Sequence, residues 1–286
     1  MTQLMSPDSP DESRTGRVSW GLRAAFFLMA AQVVTWWSGA GGADLHRAFA
    51  VLGALVLVAT LWATRKDAPP PASGWARVLA GPWPFAALGV LYFGAWMAHM
   101  VVRYHRFEFA NFDLGIYSNV AFNTAHGRPF YSSILSHSHL GEHFSPITAL
   151  FAPLYALYPS AIWLLGAQAL SFAAVPLVLA HVCRGLITDR ARASAVALGL
   201  SLLWGIYPPM VAAMRFPFHP TSLAAPWVVL AFYFVQRGDW RRAVPVLLLL
   251  LTCKESLSLV WVGLGLQVLV RRDAAGGRWR GALLVV

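Results

Sequence analysis

Apolar residues in this chain come in long runs rather than in alternation. Such stretches recur at residues 18–38, 46–63, 78–102, 160–183, 192–214 and 221–236. Crossing a hydrocarbon core of about 30 Å takes roughly 17 to 25 helical residues, so the runs predict transmembrane helices, some at the short end of that range. A soluble chain needs polar residues to cover its surface. Here residues of the AVILMFWYC set make up 58% of the sequence and charged residues only 12%. The fold class predicted is all-α: a polytopic transmembrane helical bundle with a large outer loop carrying short interfacial helices.

Two further apolar stretches are ambiguous by length, and charge decides how each is read. Residues 144–158 are broken by Pro146 and Pro153 and closed by Pro159, which fits an interfacial or re-entrant segment better than a span. Residues 243–270 are flanked on both sides by basic sequence, RGDWRR before and RRDAAGGRWR after. A hairpin turning near Lys254-Glu255-Ser256 keeps both flanks on one side, and a slanted single helix is the alternative. With the N-terminus cytoplasmic, 16 of the 22 Lys and Arg residues fall inside, and Arg47, Arg103, Arg106, Arg128, Arg215 and Lys254 are the exceptions. The net charge of +10 is thereby read as orientation under the positive-inside rule, not as a nucleic-acid surface. The same parity puts residues 103–146 on the outer face.

The domain organisation follows from these runs. Residues 1–17 read as a disordered cytoplasmic tail, 18–63 as an N-terminal transmembrane hairpin whose first run is an uncleaved signal anchor, and 64–77 as a Pro-rich cytoplasmic linker. Residues 78–286 form the main membrane domain, expected to be truncated at its C-terminus because GALLVV at 281–286 begins another apolar run. Cys183 and Cys253 have no metal or haem spacing and give no disulfide framework.

Polar chemistry is concentrated between Arg103 and Pro146, which holds five of the nine histidines and three of the twelve acids. Asp113 precedes a helix expected over Leu114–Ala125 and ended by Gly127 and Pro129. An Asp there either caps backbone N–H groups or meets a lipid-borne substrate at the membrane surface as a general base. His139 and His143 would share a face of a helix, with Glu142 beside them; imidazole and carboxylate are ordinary ligands for a divalent metal, and solvated histidines are the simpler reading. Arg215 and His219 bracket a Pro-fixed outer turn where a guanidinium could hold phosphate. Lys254 and Glu255 are ionisable residues inside an apolar segment, a placement that marks either a function or a packing ion pair.

Several of these stretches carry a family resemblance: Phe112 to Tyr117, Asn123 to Phe130, His139 to Pro146, Phe218-His219-Pro220 and Lys254-Glu255. Over about residues 85 to 270 the chain resembles a family of predicted bacterial membrane proteins, a domain of unknown function grouped with the GT-C superfamily of integral-membrane glycosyltransferases. The resemblance implies a GT-C-like bundle in the bacterial inner membrane that takes a sugar from a polyprenyl-phosphate donor and passes it to an acceptor on the outer face. It implies Asp113 as the base, with Arg215, His219, Lys254 and Glu255 around the donor phosphate, and in some members a divalent metal, for which His139, Glu142 and His143 are the candidates here. The lipid bilayer and the donor are then the partners, with no role for nucleic acid.

The chain also departs from the superfamily. Asp113 lacks the paired acid common in this loop, Glu108 being the nearest, and the hairpin at 18–63 is extra. A transporter relaying protons and a non-catalytic envelope membrane protein are the competing classes.

Overall fold

The computed structural model describes residues 81–109 and 111–270, with Asn111 and Val270 described by backbone alone. The expected tail, N-terminal hairpin and linker lie outside the described residues. Among those described, nine α-helices make up nearly all the regular structure: α1 (Trp83–His105), α2 (Asn111–Ala125), α3 (Ala152–Leu157), α4 (Ile162–Leu186), α5 (Arg190–Ile206), α6 (Pro208–Arg215), α7 (Ala225–Gln236), α8 (Trp240–Cys253) and α9 (Ser258–Val270). A two-stranded antiparallel ladder, β1 (Tyr131–Ser132) with β2 (His137–Ser138), interrupts them.

Helices α1 and α4 are long and apolar enough to cross a membrane. The run at 192–214, expected as one span, is a broken one: α5 and α6 meet at a bend of 48°. The break follows from the sequence. Pro208 has no N–H to continue the ladder, and the residue before a proline is driven out of the helical region; Tyr207 accordingly sits at φ −63°, ψ 119°. The run at 221–236 opens as a 3₁₀ turn, Pro220–Ala224, before α7, leaving the α-helix only 12 residues long and too short to span alone.

Helix α4 is the centre of the bundle, packed by α1, α5 and α7, with α8 packed on α7. The approach of α1 is closest at Gly89, where a Cβ would stand 2.7 Å from the Ala173 carbonyl oxygen of α4. Small residues of this kind let helices dock where lipid offers no hydrophobic drive. The outer faces stay apolar: Val90 and Leu91 of α1, Leu170 of α4, Leu248 of α8 and Leu259 of α9 are all exposed. An apolar periphery on a helical bundle is the surface that lipid, not water, would cover.

The ambiguous stretch at 243–270 folds back on itself. The chain is extended at Lys254 (φ −167°, ψ 146°), takes one 3₁₀ turn through Glu255–Leu257 and re-enters a helix. Trp261 Nε1 donates to the Leu247 carbonyl at 3.0 Å. These residues stand equally far before and after Lys254, a pairing that a continuous helix would hold about 21 Å apart. The slanted single helix is thereby excluded. Residues 146–157 form a 3₁₀ turn and the short helix α3, in keeping with a segment that does not cross.

Candidate functional site

Helix α2 carries the first element of the site. It starts at Asn111, three residues earlier than expected, so Asp113 lies within the first turn rather than capping it. A carboxylate there faces the positive end of the helix dipole. The C-terminal end of α2 follows the expected pattern: Gly127 adopts φ +78°, its N–H bonds to Thr124 O and that of Arg128 to Asn123 O, the paired closure of a Schellman motif. Beyond it, Asn119 accepts from Ser133 N at 2.8 Å and Asn123 donates to Tyr131 O at 3.1 Å, so α2 fixes the ladder through side chains.

The second element arrives from 106 positions further along the chain. His219 Nε2 stands 3.9 Å from Asp113 Oδ2, with the two side chains 29% and 36% exposed. That separation is too long for a direct hydrogen bond and right for an ion pair or one bridging proton carrier. His219 Nδ1 lies 3.4 Å from the Pro217 carbonyl; a proton on Nδ1 would answer that carbonyl and leave the Nε2 lone pair toward Asp113. Tyr117, one helical turn after Asp113, packs edge-on against His139, Phe218 and His219 with ring centroids 4.9, 5.5 and 5.7 Å away. Burial, and then the charges of Asp113 and Glu255, push its phenol pKa well above the ordinary range, so Tyr117 stays protonated.

The turn that bears His219 is held by a residue that no sequence motif marks. Gln168 of α4 is fully buried. Its Nε2 donates to Ala213 O at 3.1 Å and Phe216 O at 3.3 Å, while its Oε1 accepts from His219 N at 3.3 Å and Ser222 Oγ at 3.1 Å. An amide isolated within the apolar run 160–183 was the available signal. On one side of this turn lies a groove of about 700 Å³, lined by Phe172, Trp204, Met210, Phe216 and Val228, with His219 also on its wall.

A second carboxylate–histidine contact ties the outer stretch to the hairpin. Glu255 Oε1 meets His143 Nδ1 at 3.1 Å, and Glu255 Oε2 accepts from Phe144 N at 2.9 Å. For the Glu255 carboxyl, desolvation raises the pKa, but hydrogen bonds from its own backbone, His143 and Phe144 outweigh it and hold the group below the usual range. Lys254 does not pair with Glu255: it is half-buried at the hairpin break and has no ion-pair partner among the described residues.

The candidate metal ligands are not gathered. Glu142 Oε1 is engaged by His137 Nε2 at 2.8 Å, His143 by Glu255, and His139 is buried against Tyr117 with both ring nitrogens lacking a hydrogen-bond partner. Among the described residues no group of three or more His, Cys, Asp or Glu is placed to hold an ion. The residues present therefore do not fit a metal. Burial, then the nearby His143 charge, lowers the His139 pKa, so its imidazole is held neutral. Backbone strain collects in the same stretch: Phe107, Phe130 and Ser136 all adopt left-handed φ of 55–62°, which L side chains rarely tolerate unless surrounding contacts enforce it.

A family model described as Predicted membrane protein (DUF2079) matches residues 103–286. No curated protein and no solved structure matches the chain.

Proposed function

The chain belongs to the DUF2079 family of predicted membrane proteins, and from that premise we propose that it is a membrane glycosyltransferase of the GT-C kind. The observation that carries the reading is the convergence of Asp113 and His219 beside an apolar groove. A base centre walled by lipid-compatible surface suits a substrate with a charged head and a hydrocarbon tail. In this reading the groove takes part of a polyprenyl chain and Asp113 accepts the proton of the acceptor hydroxyl. The freed oxygen attacks the anomeric carbon as its bond to the phosphate oxygen breaks, and the phosphate leaves with that electron pair. His219, anchored through Nδ1, sets its Nε2 beside the carboxylate, where one bridging proton carrier can join the two. Arg215 and Lys254, neither with an ion-pair partner among the described residues, are the cations available to the departing phosphate.

Turnover of a panel of radiolabelled polyprenyl-phosphate sugars by the full-length protein, wild type beside Asp113→Asn, tests this. Transfer by the wild type alone supports it. Equal transfer by both removes Asp113 as base, and no donor binding by either sinks the reading.

The reading also places residues 103–146 on the outer face of a bacterial inner membrane. Ser136→Cys should label from outside and Thr188→Cys only after permeabilisation, against a low background because both native cysteines are buried. The reverse pattern would overturn the orientation.

A further inference from the structure

The C-terminal end of α1 and the Arg215 turn enclose a second cavity, a cleft of about 750 Å³ lined by His99, Val102, Arg103, Arg106, Glu108 and Arg215 together with Ala98. Three guanidinium groups face one carboxylate, leaving two positive charges without an internal counter-charge. Their occupations differ. Arg103 is structural: it donates to the Arg215 carbonyl and, at 2.9 Å, to the Glu108 carbonyl, its Nε is 3.6 Å from Glu108 Oε2, and it lies over the Phe109 ring. It thus clamps the end of α1 to the Arg215 turn. Arg106 is exposed and only loosely paired, at 3.7 Å from Glu108 Oε1. Arg215 is exposed and has no ion-pair partner among the described residues. His99 Nε2 is buried on this helix without a hydrogen-bond partner.

We propose that this cleft binds a phosphate group through Arg106 and Arg215, with His99 on its wall and Arg103 holding the walls at their spacing. The chemistry selects the ligand class. The Arg215 guanidinium, without an ion-pair partner among the described residues, and that of Arg106, only loosely held by Glu108, match the charge and the multiple acceptor oxygens of a phosphate monoester or diester, and the His99 imidazole lies on the same wall. An isolated excess of like charge around one cavity repels itself unless an anion enters. The cleft shares Arg215 with the proposed transfer reaction, but none of these side chains touches Asp113, so phosphate binding and proton removal can be lost separately. Its phosphate could be that of a membrane lipid headgroup or of a water-soluble molecule, and the experiment separates the two.

The test uses the full-length protein in detergent and in nanodiscs, comparing wild type, Arg106→Gln/Arg215→Gln and Asp113→Asn. One arm measures thermal stabilisation by inorganic phosphate with chloride as the control. The other measures retention of phosphatidylglycerol against phosphatidylcholine by native mass spectrometry. Saturable stabilisation by phosphate, weakened about tenfold or more in the double variant, supports a site open to soluble phosphates. Selective retention of phosphatidylglycerol, lost in the double variant, supports a headgroup site. Neither response in the wild type, or equal responses in wild type and double variant, overturns the proposal. Asp113→Asn should bind as the wild type does, so loss of transfer with intact phosphate binding, or the reverse, tells which of the two readings has failed.

Discussion

Two carboxylate–histidine pairs are built from distant segments of this protein, and they are made differently. Glu255 and His143 are in hydrogen-bond contact at 3.1 Å, and the second carboxylate oxygen is taken by the Phe144 amide. Asp113 and His219 stop at 3.9 Å, with the apolar groove alongside. In the first pair both carboxylate oxygens already have partners, which tie His143 and Phe144 to the hairpin. In the second, the carboxylate oxygen nearest the imidazole has room for a third party. Saturation fits a latch and vacancy fits a reaction, a distinction invisible in residue types alone.

The contrast is broken most directly at Asp113. Replacing it with Asn keeps size and polarity, so transfer should fall by about 10²- to 10⁴-fold while thermal stability of the purified protein stays within about 0.5 kcal/mol; a fold that collapses instead would make Asp113 structural. Gln168→Leu attacks the same pair from beneath. It leaves the Ala213 and Phe216 carbonyls, the His219 amide and the Ser222 hydroxyl without their partner, and should destabilise the protein by about 3 kcal/mol with a marked loss of transfer, read by thermal unfolding and kinetics together. Removing the latch should matter less. Glu255→Ala is expected to cost about 1 kcal/mol, because the pair is half exposed, to loosen the 137–146 stretch in hydrogen exchange, and to spare the chemical step. A larger loss of transfer at Glu255 than at Asp113 would reverse the assignment.

The smallest effect is a pH dependence. Burial keeps His139 neutral in the fold, so the unfolded chain binds the proton first. Stability should decline as pH falls below about 6.5, the ordinary histidine value, and His139→Phe should flatten that limb in thermal unfolding scans between pH 5 and 8. A separate loss belongs to Glu255, whose carboxyl is held low. Its contribution is complete above about pH 4.3 and disappears as pH drops through its lower folded value.

The elements of the fold were legible where composition dictates them. Runs of apolar residues marked α1 and α4, Gly127 marked the end of α2, and basic flanks marked the hairpin at Lys254. Tyr207-Pro208 carried the signal for the bend between α5 and α6, unread beside the uninterrupted hydrophobicity of 192–214. The site was legible as a list and not as an arrangement. Asp113 and His219 were both candidates, yet nothing local says that they meet, because their contact depends on how α4 and the 3₁₀ turn at Pro220 pack. The spacing of His139, Glu142 and His143 suggests a shared face, and the two imidazoles do pack edge-on with centroids 6.0 Å apart, but Glu142 turns to His137 and His143 Nδ1 to Glu255. Gln168 was passed over because it has no motif, only the oddity of an amide in an apolar run.

That amide also has a history in time. Gln168 is synthesised before every group it will bind, its partners lying 45 to 54 residues downstream. At translation rates of roughly 5 to 20 residues per second, the central helix emerges on the order of seconds before the Arg215 turn exists. During that interval its side chain must be satisfied by water, the translocation machinery or another part of the nascent protein. The residue that secures the finished turn is therefore the one that makes the order of assembly matter, and a chain interrupted before Ala213 would leave its most central helix holding an unanswered polar group.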